Sequence, residues 1–418
     1  MSNKNKSDVK FYHLVQPYFF AHHHFHKRKI DVLRKSGFDA KLLSVVPKSL
    51  YNENYDRYSR LERSGYVELI VVPSSVVTSF YLFAFILRGV LKSNKLSIHV
   101  LRSSPWPVVF FKVFPFFKSK LYYFQEFEGD SYSEFIYSKE YCEFPRPPEK
   151  PSGLLNKVKS NIILNLEKIQ ALVSDGLILM SDEHVKLWSF RLKKCIKASV
   201  LPTLADPKVV WFDQEARAEI RNKYQMTDNL VLTYTGNVIC HWQRREEMCH
   251  LIKRLSGDVP NIRFMAIVRS DDLALMQESI KKHGIVDTTI LLSVDHGQIY
   301  KYLSAADLAL FLRHEHTMNK VVTSGKLGEY LSAGLPVLTT GSNADVLNKF
   351  IRSVNAGCFI DDSLEVNTPV LDYLYAINKD KDNLHKRRSI CNAAHAKFGG
   401  SENPFDSYAQ FVKAITVG

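Results

Sequence analysis

Cysteine is scarce in this chain: six in 418 residues, Cys142, Cys195, Cys240, Cys249, Cys358 and Cys391, with no Cys-x-x-Cys pair among them. That spacing argues against a zinc ribbon or a disulfide framework and reads as reduced thiols in a cytoplasmic protein. Long apolar runs are also missing. The longest, residues 80–87 (FYLFAFIL), falls well short of the roughly 20 residues a membrane-spanning helix needs, and it ends at Arg88. It reads as part of a buried helix over residues 76–91. The first residues, MSNKNKSDVKFYHLV, lack the apolar region of a secretion signal. Internal repeats and low-complexity tracts are absent, and 45% hydrophobic against 24% charged residues excludes general disorder.

Negative charge is what the first half has little of. Residues 1–205 hold 31 Lys and Arg against 18 Asp and Glu, whereas residues 206–418 hold 25 of each, so the whole formal excess of +13 lies in the first half. A localised basic field favours a polyanionic partner such as an anionic bilayer or a phosphorylated substrate. Residues 101–124 add Trp106, Phe110, Phe111, Phe114, Phe116, Phe117, Tyr122, Tyr123 and Phe124 to Arg102, Lys112, Lys118 and Lys120, with no acidic residue. Three readings are weighed: a core helix and strand with lysines at the rim, a surface that meets a membrane interface, and, least favoured, a platform for single-stranded nucleic acid. Nucleic acid is not the expected partner.

Short apolar segments alternate with longer amphipathic ones. Strands are expected at 10–15, 40–46, 68–72, 96–101, 120–124, 176–180 and 198–201, then at 230–235, 262–268, 289–292, 308–312, 336–339 and 358–360. Helical patterns lie between them, among them 26–36, 157–173, 244–255, 272–283, 297–305, 326–333 and 344–354. Strands separated by helices pair in parallel and form layered α/β domains. The proline-rich stretch 144–153 reads as a loop, and two prolines near 202–211 mark a change of domain. The expected organisation is residues 1–205 as one doubly wound domain, 206–400 as a second, and 401–418 as a helix returning to the first.

In open parallel sheets, ligands bind beyond the carboxyl ends of the strands. Two such segments of the second half stand out. In LVLTYTGNVICHWQRR a strand ends at Gly236-Asn237, where glycine lets a phosphate approach the backbone, and Arg244 follows as a cation for it. In NKVVTSGKLGEYLSAGLPVLTT, Ser324 and Gly325 offer free amides at a helix start, Lys326 a positive charge, and Glu329, one turn on, an acceptor for two ribose hydroxyls. The first glycine of a GxxxxGK[ST] loop is missing.

TSGKLGEYLSAGLPV resembles the P-x-K-x-x-E-Y-x-x-x-G-x-P-V signature of bacterial glycosyltransferases of family 4, and the likeness runs through YTGNVICHW, FMAIVR and HGQIYKYLSAADLALFLR, over residues 198–362. The resemblance implies an α/β protein of the GT-B type, two Rossmann-like doubly wound domains facing across a cleft. It implies sugar transfer from a nucleotide diphosphate sugar with retention at the anomeric carbon. Carried over residue by residue, Glu329 matches the ribose contact, Lys326 and Arg244 match cations near the diphosphate, and Gly236 and Asn237 match the loop facing it. Arg269 follows the next strand on the same side. Two positions depart from the pattern. Ser324 replaces proline, and Val321 stands where many relatives have a second glutamate, with Glu315 out of register.

On the acceptor side, FFAHHHFH follows the first strand. His24 is the candidate acid or base, with His22 and His23 lining the cleft; an ordinary helix start or a metal site are the alternatives. Glu126 and Glu128 follow the strand KLYYF and could orient acceptor hydroxyls. Asp380-Lys381-Asp382 reads as a solvated run rather than a metal site, and His314 and His316 follow a strand of the donor domain. The expected activity is a glycosyltransferase of bacterial surface polysaccharide synthesis. Its acceptor is a saccharide or a polyprenyl-diphosphate-linked saccharide at the inner face of the plasma membrane, and no metal or other cofactor is required. A nucleotide-sugar epimerase of the same architecture and a catalytically silent binding protein are the alternatives.

Overall fold

The computed structural model describes residues 9–19, 23–92, 95–101, 104–140, 154–203, 205, 208–399 and 404–417. The expected loop 144–153, His22, Arg102 and Cys142 lie outside them, as do the side chains of His23 and His24.

Among the described residues, thirteen strands form at the thirteen expected places. The first sheet holds β1 (Val9–Val15), β2 (Asp39–Pro47), β3 (Val67–Val72), β4 (Lys95–Leu101), β5 (Leu121–Glu126), β6 (Gly176–Leu179) and β7 (Ala198–Val200), in the order β3-β2-β1-β4-β5-β6-β7. The second holds β8 (Leu230–Gly236), β9 (Ile262–Val268), β10 (Thr289–Leu292), β11 (Leu308–Phe311), β12 (Val337–Thr339) and β13 (Gly357–Phe359), in the order β10-β9-β8-β11-β12-β13. Every neighbouring pair is parallel. The residues explain this: six of seven positions in β4 and in β8 are buried, the mark of strands covered on both faces, as parallel crossovers require. In the second sheet the chain runs outward from β8 to β10, then returns on the other side of β8 with β11. Loops leaving β8 and β11 therefore diverge, and the crevice between them is where such a sheet takes a ligand.

The chain divides into two compact units. Unit 1 is Met1–Asp130, Asn161–Pro202 and Asn403–Gly418; unit 2 is Ser131–Ser160 and Thr203–Glu402. The helix Pro404–Thr416 buries Phe405, Tyr408, Ala409 and Val412 in the core of unit 1, together with Phe11, Ile30, Phe124 and Ile178. Gly176 opens β6 because Phe411 and Ile415 lie so close that a Cβ would sit 2.7 Å from the Phe411 ring. The segment 131–160 leaves unit 1, and its helix Ser131–Glu140 packs with the helix Thr317–Val321 of unit 2.

Two expectations for unit 1 change. The helix over 76–91 forms as Thr78–Lys92, but only Leu82, Ile86 and Val90, four residues apart, are buried, and Phe80 is 70% exposed. Ser75–Lys92 is, among the described residues, the one helical stretch long and apolar enough to cross a membrane; here its inner face packs in the same core as Leu14, Leu43 and Ile98. Lys112 is not at a rim. Its ammonium is buried, 2.7 Å from Asp175 and 2.8 Å from the Leu121 carbonyl.

The centre of unit 1 is polar. Lys29 on the first helix (His23–Lys35), fully buried, donates to both oxygens of Glu126 at 2.7 and 2.6 Å. His99 lies 2.8 Å from the same carboxylate through Nε2 and 2.8 Å from the Tyr408 hydroxyl through Nδ1. His13 Nε2 is 3.2 Å from His26 Nδ1. Burial opposes the Glu126 charge, but Lys29 and His99 overcome it and hold the carboxyl down at about 2. Glu126 is thus corrected from an acceptor-side residue to a core ion pair, because no hydroxyl can reach a carboxylate enclosed on both oxygens. His13, His99 and Glu126 could be brought round a metal ion, yet Lys29 on that carboxylate would place a second cation against it.

Unit 2 has its own buried ion cluster. Asp307, the acid of the Ala-Ala-Asp motif, takes Arg217 at 2.6 Å, Arg221 at 3.0 Å and the amide of Val231 at 2.8 Å. It ties the helix Gln214–Lys223 to β8 and to the start of β11.

Removing Asp307 leaves two buried guanidinium groups unpaired, so Asp307→Ala should cost unit 2 about 3 to 5 kcal/mol, read as a lower denaturant midpoint. For Glu126, the folded carboxyl titrates below its unfolded value of 4.5. Its contribution is therefore full above that value and lost as pH falls towards about 2. Glu126→Gln should be less stable at neutral pH and show a shallower loss of stability across this acid range in pH-dependent unfolding.

Candidate functional site

The candidate site forms where β8, β11 and the helix Gly325–Ser332 meet. β8 ends at Gly236, whose φ of 106° is open to glycine, and a Cβ there would collide with the Lys326 side chain. Lys326 can therefore lie flat across the strand end. Its Nζ is 2.6 Å from the Tyr234 hydroxyl, 2.8 Å from Gln243 Oε1 and 3.5 Å from the Asn237 carbonyl, and it stands 4.5 Å from the centre of the Tyr234 ring. The Tyr234 hydroxyl donates within the same group, to the Asn237 carbonyl at 2.6 Å or Gln243 at 2.9 Å. Among the described residues, the buried Asn237 Oδ1 has no hydrogen-bond partner.

Arg313 stands at the end of β11, across the switch point. It is buried and donates to the backbone carbonyls of Trp242 at 3.0 Å and Leu312 at 2.9 Å, with the Phe311 ring 4.3 Å away. Among the described residues, neither Arg313 nor Lys326 has a carboxylate within ion-pair distance. Burial, and then the Arg313 charge, push the Lys326 amine well below its ordinary value. The Arg313 value is also lowered by burial. Two cations held by neutral oxygens in a shared crevice make a site that attracts an anion.

Ser324 precedes the helix in an extended conformation, and its hydroxyl makes no cap bond. The first-turn amides of Gly325, Lys326 and Leu327 precede the intrahelical ladder, whose first bond is Gly328 to the Ser324 carbonyl at 3.2 Å. They add positive dipole to the two side-chain charges. Glu329, one turn on, lies at the same end of the crevice and is bonded at 2.8 Å to His296 of the loop after β10.

The structure thus brings together Lys326, Gly236, Asn237, Ser324, Gly325 and Glu329, all named from the sequence. Others are placed elsewhere. Arg244 has φ 53° at the start of the helix Arg245–Asp258 and pairs at 2.6 Å with both Glu247 and Asp362, so its charge is already neutralised. Arg269 is 63% exposed and 3.5 Å from Asp271. His314 lies 3.5 Å from both Glu247 and Asp362, His316 caps the helix Thr317–Val321 through Nδ1, and Glu315 pairs at the surface with Lys320. Asp380 and Asp382 are solvent-exposed. In unit 1, His26 is buried beside His13, and Glu128 is half-buried.

Sequence reading missed Arg313 and Tyr234. The signal for Arg313 was its position, directly after a buried strand, on the far side of the switch point. Tyr234, inside β8, carried no signal beyond an ordinary core aromatic.

No protein-family model matches the sequence, and no curated protein resembles it in sequence. Solved structures do resemble it in three dimensions. HepE of Anabaena in complex with UDP-glucose superposes with a TM-score of 0.63 at 11% identity, over 98% of this chain and 100% of that one. Sucrose-phosphate synthase from Thermosynechococcus elongatus gives 0.61 at 13% identity, over 98% and 96%. WaaG, a glycosyltransferase involved in lipopolysaccharide biosynthesis, gives 0.58 at 15% identity, over 98% and 100%. At such identities the likeness is one of fold, and the fold of this chain is GT-B.

Proposed function

We propose that the chain is a glycosyltransferase that moves a sugar from a nucleotide diphosphate sugar to a saccharide or lipid-linked acceptor in bacterial surface polysaccharide synthesis. The observation that carries this reading is the pair of cations, the half-buried Lys326 and the buried Arg313, without a carboxylate among the described residues, beside an uncapped helix start. Such a pair is costly unless an anion with more than one charge completes it. A diphosphate is such an anion, and Glu329 one turn away suits the diol of its ribose. The solved relatives with UDP or UDP-glucose bound support the same class of donor.

In this mechanism Lys326, Arg313 and the first-turn amides stabilise the negative charge that grows on the departing diphosphate. Arg313 carries its charge before reaction begins, and an arriving diphosphate favours the protonated form of the Lys326 amine, so no metal is required for it. Arg244 supports the fold of this corner through Glu247 and Asp362 rather than touching phosphate. Retention at the anomeric carbon, with the leaving phosphate assisting attack on the same face, is the stereochemistry that goes with this reading.

For the acceptor, the reading assigns unit 1 and a place at the inner face of the plasma membrane. Trp106, Phe110, Val113 and Phe116 are exposed on the helices Trp106–Val113 and Pro115–Lys118, as is Phe114 between them, and Phe83 packs between Phe110 and Phe111. Lys118 and Lys120 border them. Exposed aromatics with flanking lysines suit the headgroup boundary of an anionic bilayer.

Arg313→Met and Lys326→Met should each weaken binding of UDP, GDP or ADP, whichever is the ligand, by at least about tenfold in calorimetric titration, the loss typical of a charge-assisted phosphate contact. Because each substitution also relieves like-charge repulsion, the unfolding temperature should stay level or rise; a fall in both stability and binding would make the cations structural. For the membrane, vesicles with anionic lipid should float the protein at low salt and release it at high salt. Phe114→Glu with Phe116→Glu should abolish flotation while leaving nucleotide affinity unchanged.

A further inference from the structure

His296 belongs to the loop between β10 and the helix Ile299–Ala305 and opens the segment HGQIYKYLSAADLALFLR, where no role attaches to it from the sequence. Its side chain is 57% exposed, while the Glu329 carboxylate it meets at 2.8 Å is 19% exposed. The contact lies on Oε1, one of the two carboxylate oxygens. A ribose presents two neighbouring hydroxyls, which a carboxylate receives best with one oxygen each. Imidazole and sugar therefore ask for the same atom. We infer that His296 tunes the affinity of the nucleotide site: it competes with the ribose for Glu329 and so makes donor affinity depend on its own charge.

The inference rests on the nucleotide-sugar reading above and adds a residue to that site. Among the described residues, Glu329 is the one ionisable side chain within hydrogen-bond distance of His296. Asp295, exposed, precedes it in the same loop, and Lys326 lies one turn before Glu329 on the helix. The bond to Glu329 raises the His296 imidazole above its ordinary value. A ribose that takes Glu329 returns the imidazole to solvent and to that ordinary value. Binding then releases a proton in the window between the two values, and affinity climbs as pH rises through it. Lys326 also titrates low and acts in the opposite direction, but it is common to the wild type and any His296 variant and cancels in their ratio.

The test compares wild type, His296→Ala and His296→Gln by calorimetric titration with UDP-glucose, GDP-mannose and ADP-glucose, whose diphosphate diesters do not titrate between about pH 5.5 and 8.5. At about pH 5.5, His296→Ala should bind about two- to fivefold more tightly than wild type, the range of a partly exposed ion pair, and at about pH 8.5 the two should converge. His296→Gln, which keeps a donor without charge, should hold a constant ratio to His296→Ala at every pH. A wild-type to alanine ratio that does not change with pH overturns the role of His296 and leaves the nucleotide site standing. Wild type that binds none of the three donors at any pH removes the nucleotide-sugar reading and this inference together.

Discussion

Two positive charges at the switch point of the second sheet, with no carboxylate among the described residues to neutralise them, set the terms for the second unit. Proteins bury ionic groups in pairs because an unpaired one loses its hydration for nothing. Here Lys326 is lodged among a tyrosine hydroxyl, a glutamine oxygen and a carbonyl, and Arg313 among two carbonyls. Neutral acceptors soften the cost without cancelling the charge. The contrast within the same unit is informative. Arg217 and Arg221 share Asp307, and Arg244 has two carboxylates. The same unit thus gives Arg217, Arg221 and Arg244 carboxylate partners, holds Arg387 on the carbonyls of Leu303, Ala333 and Ala306, and leaves Lys326 and Arg313 on neutral oxygens where the order of the second sheet reverses.

Backbone geometry makes that openness available. The left-handed turn at Gly236 removes the side chain that would keep Lys326 away from the strand end. The parallel order places β11 directly beside β8, so residues 77 positions apart, Gly236 at the end of β8 and Arg313 two residues past β11, come to the same crevice. Local features of the helix start then act in concert with the two charges: the extended Ser324, the uncommitted amides and Glu329 one turn further.

Much of this was legible in the sequence because the strands are buried on both faces and read as short apolar runs. Lys326 and Glu329 were legible because they share one helix, and helical spacing fixes their relation whatever the rest of the chain does. Arg244 and Glu126 show where such reading stops. A sequence announces a charge but not its partner: Arg244 meets Asp362 118 residues later, and Glu126 meets Lys29 97 residues earlier. The same holds for the 101–124 stretch, which divides between core and surface. Phe111 and Tyr123 are core, Phe114 and Phe116 are surface, and Lys112 is buried on Asp175. Arg313 was hidden for the opposite reason, since nothing local distinguishes an arginine that lacks a partner from one that has found it.

The helix Pro404–Thr416 belongs to unit 1 although about two hundred residues of unit 2 separate it from β7. It supplies Tyr408 to His99 and fills the space in front of Gly176. A ribosome therefore releases strands β1 to β7 long before the piece that closes their core. During synthesis the amino-terminal half must wait, incompletely sealed, while its neighbour is free to mature first, which reverses the usual order in which a nascent polypeptide acquires its domains.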